Sequence, residues 1–280
     1  MKIGAHVSFA KGFHGAIKEA VAMNASACQF FTRSPRGGKA KELVDADISK
    51  GQALALENGI HTLVIHTPYI INLAAPVEAT FTAAKEILSL DIERAEKLGV
   101  PFVVVHTGSH AGSGVEAGIK RTAQALNEIL TGEEQTTILL EMMAGQGSEL
   151  GSSFEQVEEI LSLVEHSDKI GVCGDTCHMY SAGFDLVNNL ETILDDFDAR
   201  IGLDRLKVFH LNDAKMPLGS KRDRHADIGY GTMGGQFFKD FVRNKRLQDV
   251  AFILETPTGV YKEEIAYIRD EADLPVIEKL

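Results

Sequence analysis

The sequence contains no long hydrophobic run and only three cysteines. Its apolar stretches fall well short of the roughly 20 consecutive residues that a membrane helix needs. The chain begins at Met1 with MKIGAH and not with the charged and then apolar segments of a secretory signal. Three cysteines are too few for a disulfide framework, and Cys173 and Cys177 have C-x3-C spacing where C-x2-C is the usual motif. We therefore expect a soluble, cytoplasmic protein whose cysteines are buried, reduced thiols.

Positive charge is also scarce, because 28 Lys and Arg residues stand against 40 Asp and Glu residues, for a net charge of −12. Proteins that bind nucleic acid through their overall charge usually carry a basic face, so this balance argues against that mode of binding. A local binding surface is still allowed, since bound cations would cancel the charge of acidic ligands where it matters. With 280 residues and 44% hydrophobic residues, the chain can bury a large core.

Six short apolar runs end on an acid or a histidine. In one of them, IGVCG at residues 170–174 is followed by Asp175 and, three residues later, by His178. An unpaired carboxylate at the end of a buried strand would lose much of its hydration, so Asp175 should be held by a cation, a metal or dense hydrogen bonding. The other five runs close on His66, His106, Glu141, His210 and Glu255.

Strand-like and helix-like segments alternate eight times along the chain. The strands are predicted at residues 2–7, 27–31, 62–66, 103–106, 137–141, 170–175, 206–210 and 251–255. Among the helices, the fifth is expected to begin with Ser153 as its capping residue, and the sixth to span residues 187–197.

Apolar, non-alternating strands in eight such units indicate an α/β protein with a parallel TIM (β/α)8 barrel, in a single domain over residues 1–280. A doubly wound open sheet is the alternative. The open sheet would spread the six strand-end residues along a line, whereas the barrel gathers them in a ring at its active face.

The loop after the seventh strand adds Asp223 and His225, which an extended loop can turn toward one side. Together with His178 they bring the set to nine nitrogen and oxygen ligands without a thiolate, which suits zinc or manganese. Any one histidine could be an ordinary hydrogen-bonded residue, but six strand ends with the same property argue against that interpretation. Nine ligands exceed the needs of one tetrahedral ion, so we infer two or three ions, an arrangement that serves phosphoester displacement.

Several motifs are spread over essentially the whole chain. They are GAHVS at residues 4–8, AGQG at 144–147, DTCH at 175–178, HLNDAK at 210–215, DRH at 223–225 with IG at 228–229, and ETP at 255–257. These motifs resemble those of the endonuclease IV family of apurinic/apyrimidinic endonucleases. The resemblance implies a xylose isomerase-like TIM barrel with a trinuclear zinc cluster. The enzyme would hydrolyse duplex DNA 5′ to abasic sites in base excision repair, leaving a 3′ hydroxyl and a 5′ deoxyribose phosphate, and would remove 3′ blocking groups.

Carried over by position, the resemblance divides the ligands among three zinc ions: the first takes His66, His106 and Glu141, the second Glu141, Asp175, His210 and Glu255, and the third His178, Asp223 and His225. Glu141 and Glu255 would also be the catalytic carboxylates that orient the attacking hydroxide. His6, at the end of the first strand, is expected near the ions without binding one.

The resemblance places the DNA contacts on loops at the same face. Arg36 would enter the duplex near the lesion, and Tyr69 would wedge beside the abasic site, where taking a nucleotide out of the stack costs least. The full set of predicted DNA-binding residues is Arg36, Tyr69, Asn72, Lys215, Lys221, Arg222 and Arg224. The expected partner is therefore duplex DNA containing abasic sites, bound by a monomer.

The sequence departs from the family pattern at three points. The family usually has a tryptophan shortly after the position of Arg36, but this chain has no tryptophan and continues with Gly37 and Gly38. Thr107 stands where proline is common, and Met142 is followed by a second methionine where Asn-Thr is frequent. None of these changes removes a ligand, so we expect them to affect DNA binding more than hydrolysis.

Two other functions compete with DNA cleavage. Sugar isomerases and epimerases of the xylose isomerase-like barrels also use acids and histidines at strand ends, but they hold one or two ions with fewer histidines. A binding protein that kept the fold without turnover is the second alternative, and the altered loop around Arg36 would be its mark. The presence of His178, Tyr69 and the Asp223 loop favours DNA cleavage over these two alternatives.

Overall fold

Eight parallel strands close into a barrel in the computed structural model, which describes residues 1–35 and 40–277. The strands in chain order are β1 (Lys2–His6), β2 (Ala27–Phe30), β3 (Thr62–His66), β4 (Phe102–His106), β5 (Thr137–Glu141), β6 (Ile170–Asp175), β7 (Leu206–Leu211), β8 (Asp213–Ala214), β9 (His225–Ala226) and β10 (Ala251–Leu254). Around the barrel the order is β1-β10-β7-β6-β5-β4-β3-β2, while β8 and β9 form a separate antiparallel pair. The prediction of a TIM barrel is confirmed.

Helices follow the barrel strands in sequence and cover their outer face. They are α1 (Gly12–Ala22), α2 (Asp45–Glu57), α3 (Glu78–Leu98), α4 (Val115–Ile129), α5 (Phe154–Leu163), α6 (Thr176–Ala182), α7 (Leu190–Arg200), α8 (Gly235–Phe241) and α9 (Tyr261–Ile268), with single 3-10 turns at Ser167–Lys169, Leu203–Arg205 and Lys245–Leu247. Within the described ranges, none of these helices combines the length and the apolar character needed to cross a membrane.

The inside of the barrel is filled by a small apolar cluster. Its members come from seven of the eight barrel strands: Ala27, Val64, Val104, Leu139, Cys173, Val208, Ala251 and Ile253. A larger apolar cluster, which includes the fully buried Phe13, Phe81 and Phe238, lies between strands and helices. Because side chains fill the interior, polar groups at the barrel axis are confined to the mouth, meaning the C-terminal ends of the strands.

Three segments differ from the sequence prediction. A short helix, α6, begins directly after β6, with the Asp175 side chain accepting a hydrogen bond from the His178 backbone N–H at 2.8 Å. The predicted helix at 187–197 begins only at Leu190 and ends at Arg200. The predicted polar loop after β7 contains the β8–β9 pair. The other strand ends agree with the prediction to within one residue, which is the usual uncertainty of such boundaries.

Ser153 is the N-cap residue of α5, as predicted, but it does not cap the helix through its side chain. The Gln156 side chain instead accepts hydrogen bonds from the backbone N–H groups of Gly151 and Ser152, at 2.8 and 3.3 Å. The loop before α5 is therefore held by a glutamine from inside the helix.

Candidate metal centre

The nine predicted ligands meet at the mouth of the barrel and are called the mouth cluster below. Strands β3, β4, β5 and β6 end on His66, His106, Glu141 and Asp175, while β7 carries His210 and Glu255 follows β10. Strand pairing sets His106 beside Glu141 and Asp175 beside His210. The cluster is completed from outside the strands, by His178 in α6, His225 in β9 and Asp223 shortly before it.

Glu141 lies at the centre of the mouth cluster and is 1% exposed. Four imidazoles surround its carboxylate, with ring nitrogens at 3.1 Å for His210, 3.2 Å for His66, 3.3 Å for His178 and 3.4 Å for His106. Among the described residues, no lysine or arginine forms an ion pair with this carboxylate. A deeply buried acid is therefore surrounded by groups that carry no permanent charge.

Asp223 occupies the more open side of the mouth. Its Oδ1 lies 3.4 Å from His178 Nε2 and 3.1 Å from His225 Nε2. The segment that carries Asp223 is tied to α6, because the Lys221 backbone N–H donates to the Ser181 carbonyl and the Ser181 hydroxyl donates to the carbonyl of residue 222, at 2.8 and 2.9 Å. The long loop between β8 and β9 thus holds an acid next to two histidines.

Hydrogen bonds to backbone carbonyls fix which ring nitrogen carries hydrogen in two of the buried histidines. His66 Nδ1 lies 2.7 Å from the Thr67 carbonyl and His178 Nδ1 lies 3.1 Å from the Met142 carbonyl. A carbonyl oxygen only accepts, so each of these nitrogens donates, and the opposite nitrogen of a neutral ring has a lone pair. That lone pair faces Glu141 in His66 and Asp223 in His178. Two electron-rich atoms face each other stably only when a proton or a cation lies between them.

The pKa shifts in the mouth cluster point the same way. Burial by itself would raise the pKa of Glu141, but the charges of His210 and His106 outweigh it and hold the pKa of this carboxyl well below its usual range. Burial would lower the pKa of His178, but the charge of Asp175 raises it well above the ordinary value. For His106, burial dominates and lowers the pKa to about 4. The carboxylates therefore attract positive charge into a site where some imidazoles resist protonation.

The donor sets fit divalent metal ions. Four groups of three have ligand atoms within 4.8 Å of one another: His66, His106 and Glu141; Glu141, Asp175 and His210; His178, Asp223 and His225; and Asp175, Cys177 and His225. Nε2 of His178 and Nε2 of His225 are buried and have no hydrogen-bond partner of suitable geometry, although buried polar atoms normally have one. A metal ion between these nitrogens and Asp223 would satisfy both.

The cysteines of the described chain are buried and unpaired, as predicted. Burial raises the pKa of Cys177 to about 12 and that of Cys173 to about 11. A metal binds the thiolate and not the thiol, so the group that contains Cys177 is the weakest candidate of the four. The first three groups match the division of ligands that the resemblance implies, except that the second group lacks Glu255, whose Oε2 lies 3.3 Å from His210 Nδ1.

The predicted DNA-binding residues have different surroundings. Tyr69 is 56% exposed at the mouth, and its ring centroid lies 5.6 Å from that of His66 and 5.5 Å from that of His106. Arg36 lies outside the described residues. Exposed cations line the loop between β8 and β9, beside Asp223: Lys215, Lys221, Arg222 and Arg224.

Asn72 has a structural role that the sequence did not indicate. Its Nδ2 donates to the Ser109 carbonyl at 2.9 Å, and its Oδ1 accepts from the backbone N–H groups of Ser109 and Ala74 at 2.8 and 3.1 Å. The side chain therefore ties the loop after β3 to the loop after β4. A contact between Asn72 and DNA stays a prediction.

Two departures from the family pattern make contacts at the cluster. The Thr107 hydroxyl, where proline is common, donates to the backbone carbonyl of Glu141 at 2.7 Å. Met142 supplies the carbonyl that holds His178. His6 lies beside the cluster as expected, with Nδ1 3.3 Å from Glu255 Oε1. The sequence reasoning missed Gln29, a buried residue in contact with Glu255 and His210, whose one signal is an amide inside an otherwise apolar run.

Comparisons with known proteins agree in fold and in sequence. The family model described as a xylose isomerase-like TIM barrel matches residues 17–272. The protein named "Probable endonuclease 4" from Methanosphaera stadtmanae is 46% identical over 95% of this chain and 98% of its own length. The crystal structure of endonuclease IV from Thermus thermophilus superposes with a TM-score of 0.84 at 35% identity, covering 97% of each chain. A D-tagatose 3-epimerase-like protein has a TM-score of 0.72 over 96% of this chain and 95% of its own, at 20% identity, which shows a shared fold alone.

Proposed function

The chain belongs to the endonuclease IV family of xylose isomerase-like TIM barrels, and we propose that it hydrolyses duplex DNA on the 5′ side of abasic sites in base excision repair. The products would be a 3′ hydroxyl and a 5′ deoxyribose phosphate, and the same site would remove blocking groups from 3′ ends. The observation that carries this proposal is Glu141, a buried carboxylate with four imidazole nitrogens within 3.4 Å. Around it, the mouth cluster combines five histidines with four carboxylates, a nitrogen and oxygen donor set that suits clustered divalent ions.

We propose zinc as the metal, in three ions, with manganese as a partial substitute, because the donors are nitrogen and oxygen without thiolate. The ions would be held by the three donor groups that lack cysteine, with Glu255 added to the second group. The chemistry supplied by such a cluster, when bound, is ionisation of the attacking water and stabilisation of charge on the leaving 3′ oxygen.

Glu141 and Glu255 are proposed to orient the attacking water. Their side chains are 1% and 14% exposed, so Glu255 is the more accessible of the two to solvent and substrate. Neighbouring positive charge also holds the pKa of Glu255 below its usual value against the effect of burial, which keeps it an acceptor. Glu255 is thus the carboxylate better placed to accept a hydrogen bond from the attacking water, while the more deeply buried Glu141 is in contact with four imidazoles.

DNA binding is proposed at the loops that surround the mouth. The cations Lys215, Lys221, Arg222 and Arg224 would contact phosphates, which supplies local positive charge on a chain whose net charge is −12. Tyr69 would stack beside the lesion, with Arg36 and Asn72 as further contacts. An abasic nucleotide has no base to unstack, so drawing its phosphate toward the mouth cluster costs less than for an intact nucleotide.

The whole chain, residues 1–280, is proposed to act as one domain and as a monomer in the cytoplasm. Strand β1, near the start of the chain, pairs with β10, near its end, with Lys2 opposite Ala251. The barrel therefore needs both ends of the sequence to close. No barrel strand is left over to form a second unit within the described residues.

A direct test is incision of a duplex with a single abasic analogue, compared with the same duplex without the lesion. We expect one cut, 5′ to the analogue, whose upstream product a polymerase can extend because it ends in a 3′ hydroxyl. The same preparation should then be incubated with ketoses and their epimers. Sugar epimerisation without strand cleavage, by protein that contains metal, would overturn the proposal in favour of the isomerase alternative.

A further inference from the structure

The side-chain amide of Gln29 connects two of the proposed metal ligands. Gln29 lies in β2 and is completely buried. Its Nε2 lies 2.6 Å from Glu255 Oε1, and its Oε1 lies 2.9 Å from His210 Nε2. Gln29 therefore contacts residues of β7 and of the loop after β10 from β2, which is separated from β10 in the barrel only by β1.

The orientation of this amide is determined by its neighbours. The Glu255 carboxylate only accepts hydrogen bonds, so the atom of Gln29 that faces it must be the NH2 group. The same NH2 group also lies 3.0 Å from His6 Nδ1. The carbonyl oxygen of Gln29 then faces His210, and since this oxygen only accepts, His210 Nε2 must carry a hydrogen.

This fixes the chemical character of the other ring nitrogen of His210. In the neutral ring with hydrogen on Nε2, Nδ1 has a free lone pair. Nδ1 lies 3.1 Å from Glu141 Oε1, 3.3 Å from Glu255 Oε2 and 3.8 Å from Asp175 Oδ2. One nitrogen lone pair and three carboxylates thus converge on the second of the proposed metal positions.

His210 differs in this respect from two other histidines of the mouth cluster. His66 and His178 are held by backbone carbonyls, of Thr67 and Met142, which no substitution removes. His210 is held by a side chain. Partners of this kind fix the ring tautomer and raise the basicity of a metal-binding histidine, and their loss typically costs about 10- to 100-fold in metal affinity or activity.

We propose that Gln29 is a positioning residue that fixes the tautomer of His210 and the orientation of Glu255, and thereby sets how tightly the second metal ion is held. The inference rests on the metal centre of the proposed function. Gln29 offers no atom to the metal itself, because its oxygen faces His210 and its NH2 group faces Glu255.

The test compares metal release from the holoenzyme of the wild type, Gln29→Leu and Gln29→Glu. Leu removes both hydrogen bonds, whereas Glu keeps the shape and an acceptor for His210 but sets a carboxylate against Glu255. Metal per chain is followed by mass spectrometry during incubation with a chelator. We expect one ion to leave about 10- to 100-fold faster in both variants, with the remaining ions released as in the wild type.

Thr136→Val is the matched control. Thr136 is also buried, and its hydroxyl donates to the Val100 carbonyl at 3.0 Å, just before β5 and hence at the end of the barrel opposite the mouth. This variant loses a buried hydrogen bond without touching the cluster, so its metal should leave at the wild-type rate. Histidine labelled with 15N supplies a second readout, in which the signal of His210 Nε2–H should be present in the wild type and diminished in Gln29→Leu.

The outcomes separate the inference from the function on which it rests. Release at the wild-type rate in both Gln29 variants, or equally fast release in Thr136→Val, would overturn the positioning role while leaving the metal centre in place. A wild-type protein that binds no metal would remove the proposed function and the inference together. If Gln29→Leu does not fold, the nearly isosteric Gln29→Glu carries the measurement.

Discussion

Two buried carboxylates, Glu141 at the mouth and Asp91 in α3, are surrounded by different kinds of base. Asp91 is fully buried and accepts hydrogen bonds from the Thr32 hydroxyl at 2.8 Å and from Arg33 Nε at 3.1 Å. Glu141 is as deeply buried, but its neighbours are four imidazoles. A guanidinium is always charged, whereas an imidazole is charged only when it takes up a proton.

The difference distinguishes a structural contact from the proposed metal site in the same chain. Around Asp91 the charge balance is completed by the protein, and Arg94 extends the contact by donating to the carbonyls of Thr32 and Lys41 at 3.1 and 2.9 Å. This loop-two cluster, Thr32, Arg33, Asp91 and Arg94, holds the segment after β2 against α3. Around Glu141 the imidazoles supply donors but no permanent charge, so protons or a cation from solution must complete the balance.

The largest effect on activity is expected when the charge of Glu141 is removed. Glu141→Gln keeps the volume but loses the carboxylate shared by two donor groups. We expect single-turnover incision to fall roughly 10,000-fold, or about 5 kcal/mol, with an unchanged circular dichroism spectrum. Glu86→Gln, on the exposed side of α3, is the matched control and should cleave normally. Wild-type turnover in Glu141→Gln would contradict the role assigned to this residue.

Asp91→Ala tests the carboxylate that is paired with a guanidinium. The substitution leaves Arg33, whose side chain is 6% exposed, buried without its counter-charge. Breaking such a pair by removing one partner typically costs about 3 to 5 kcal/mol, which should appear in the free energy of unfolding measured with urea. Metal content per chain should be unchanged. A loss below about 1 kcal/mol would show that the guanidinium charge is already satisfied by solvent.

A third buried carboxylate, Glu264 in α9, sharpens the comparison because it has neither a guanidinium nor a proposed metal beside it. It accepts hydrogen bonds from the Thr256 hydroxyl at 2.5 Å and the Ile228 N–H at 2.9 Å, but burial dominates and raises its pKa from 4.5 to about 7. The folded protein thus keeps a proton that the unfolded chain releases. The contribution of Glu264 to stability is full below about pH 4.5 and is lost as the pH rises through about 7.

Glu264→Gln removes this titration. The free energy of unfolding of the variant, relative to the wild type, should therefore rise by roughly 2 to 3 kcal/mol between pH 4.5 and 7.5. Urea unfolding at several pH values, in chelator so that metal binding does not contribute, measures this difference. Parallel pH profiles for the two proteins would show that Glu264 is already ionised in the folded state.

The smallest effect is expected at Tyr69, which belongs to the mouth without being a ligand. Tyr69→Ala should reduce the preference for abasic over intact duplex about tenfold, because base–aromatic stacking contributes about 1 to 3 kcal/mol. Metal content should be unaffected, and Tyr69→Phe, which keeps the ring, should retain the preference. Unchanged discrimination in Tyr69→Ala, measured by competition binding, would exclude this ring from the DNA interface.

Much of the fold and the position of the site could be predicted because both depend on local pattern. Apolar runs that close on His66, His106 or Glu141 identify strand ends, and parallel strands in a barrel bring those ends together. Gln29 could not be found in this way, because its partners His210 and Glu255 lie 181 and 226 positions away and meet it only when the barrel closes. The helix α6 was missed because Asp175 both ends a strand and caps that helix.

The mouth cluster is proposed to be a metal centre on which DNA cleavage depends. The most direct measurement determines metal per chain by mass spectrometry and incision of an abasic duplex on the same samples, before chelation, after chelation and after zinc is returned. We expect about three zinc ions per chain, incision that disappears as they are removed, and recovery when zinc is restored. Full incision by protein that retains no metal would contradict this proposal.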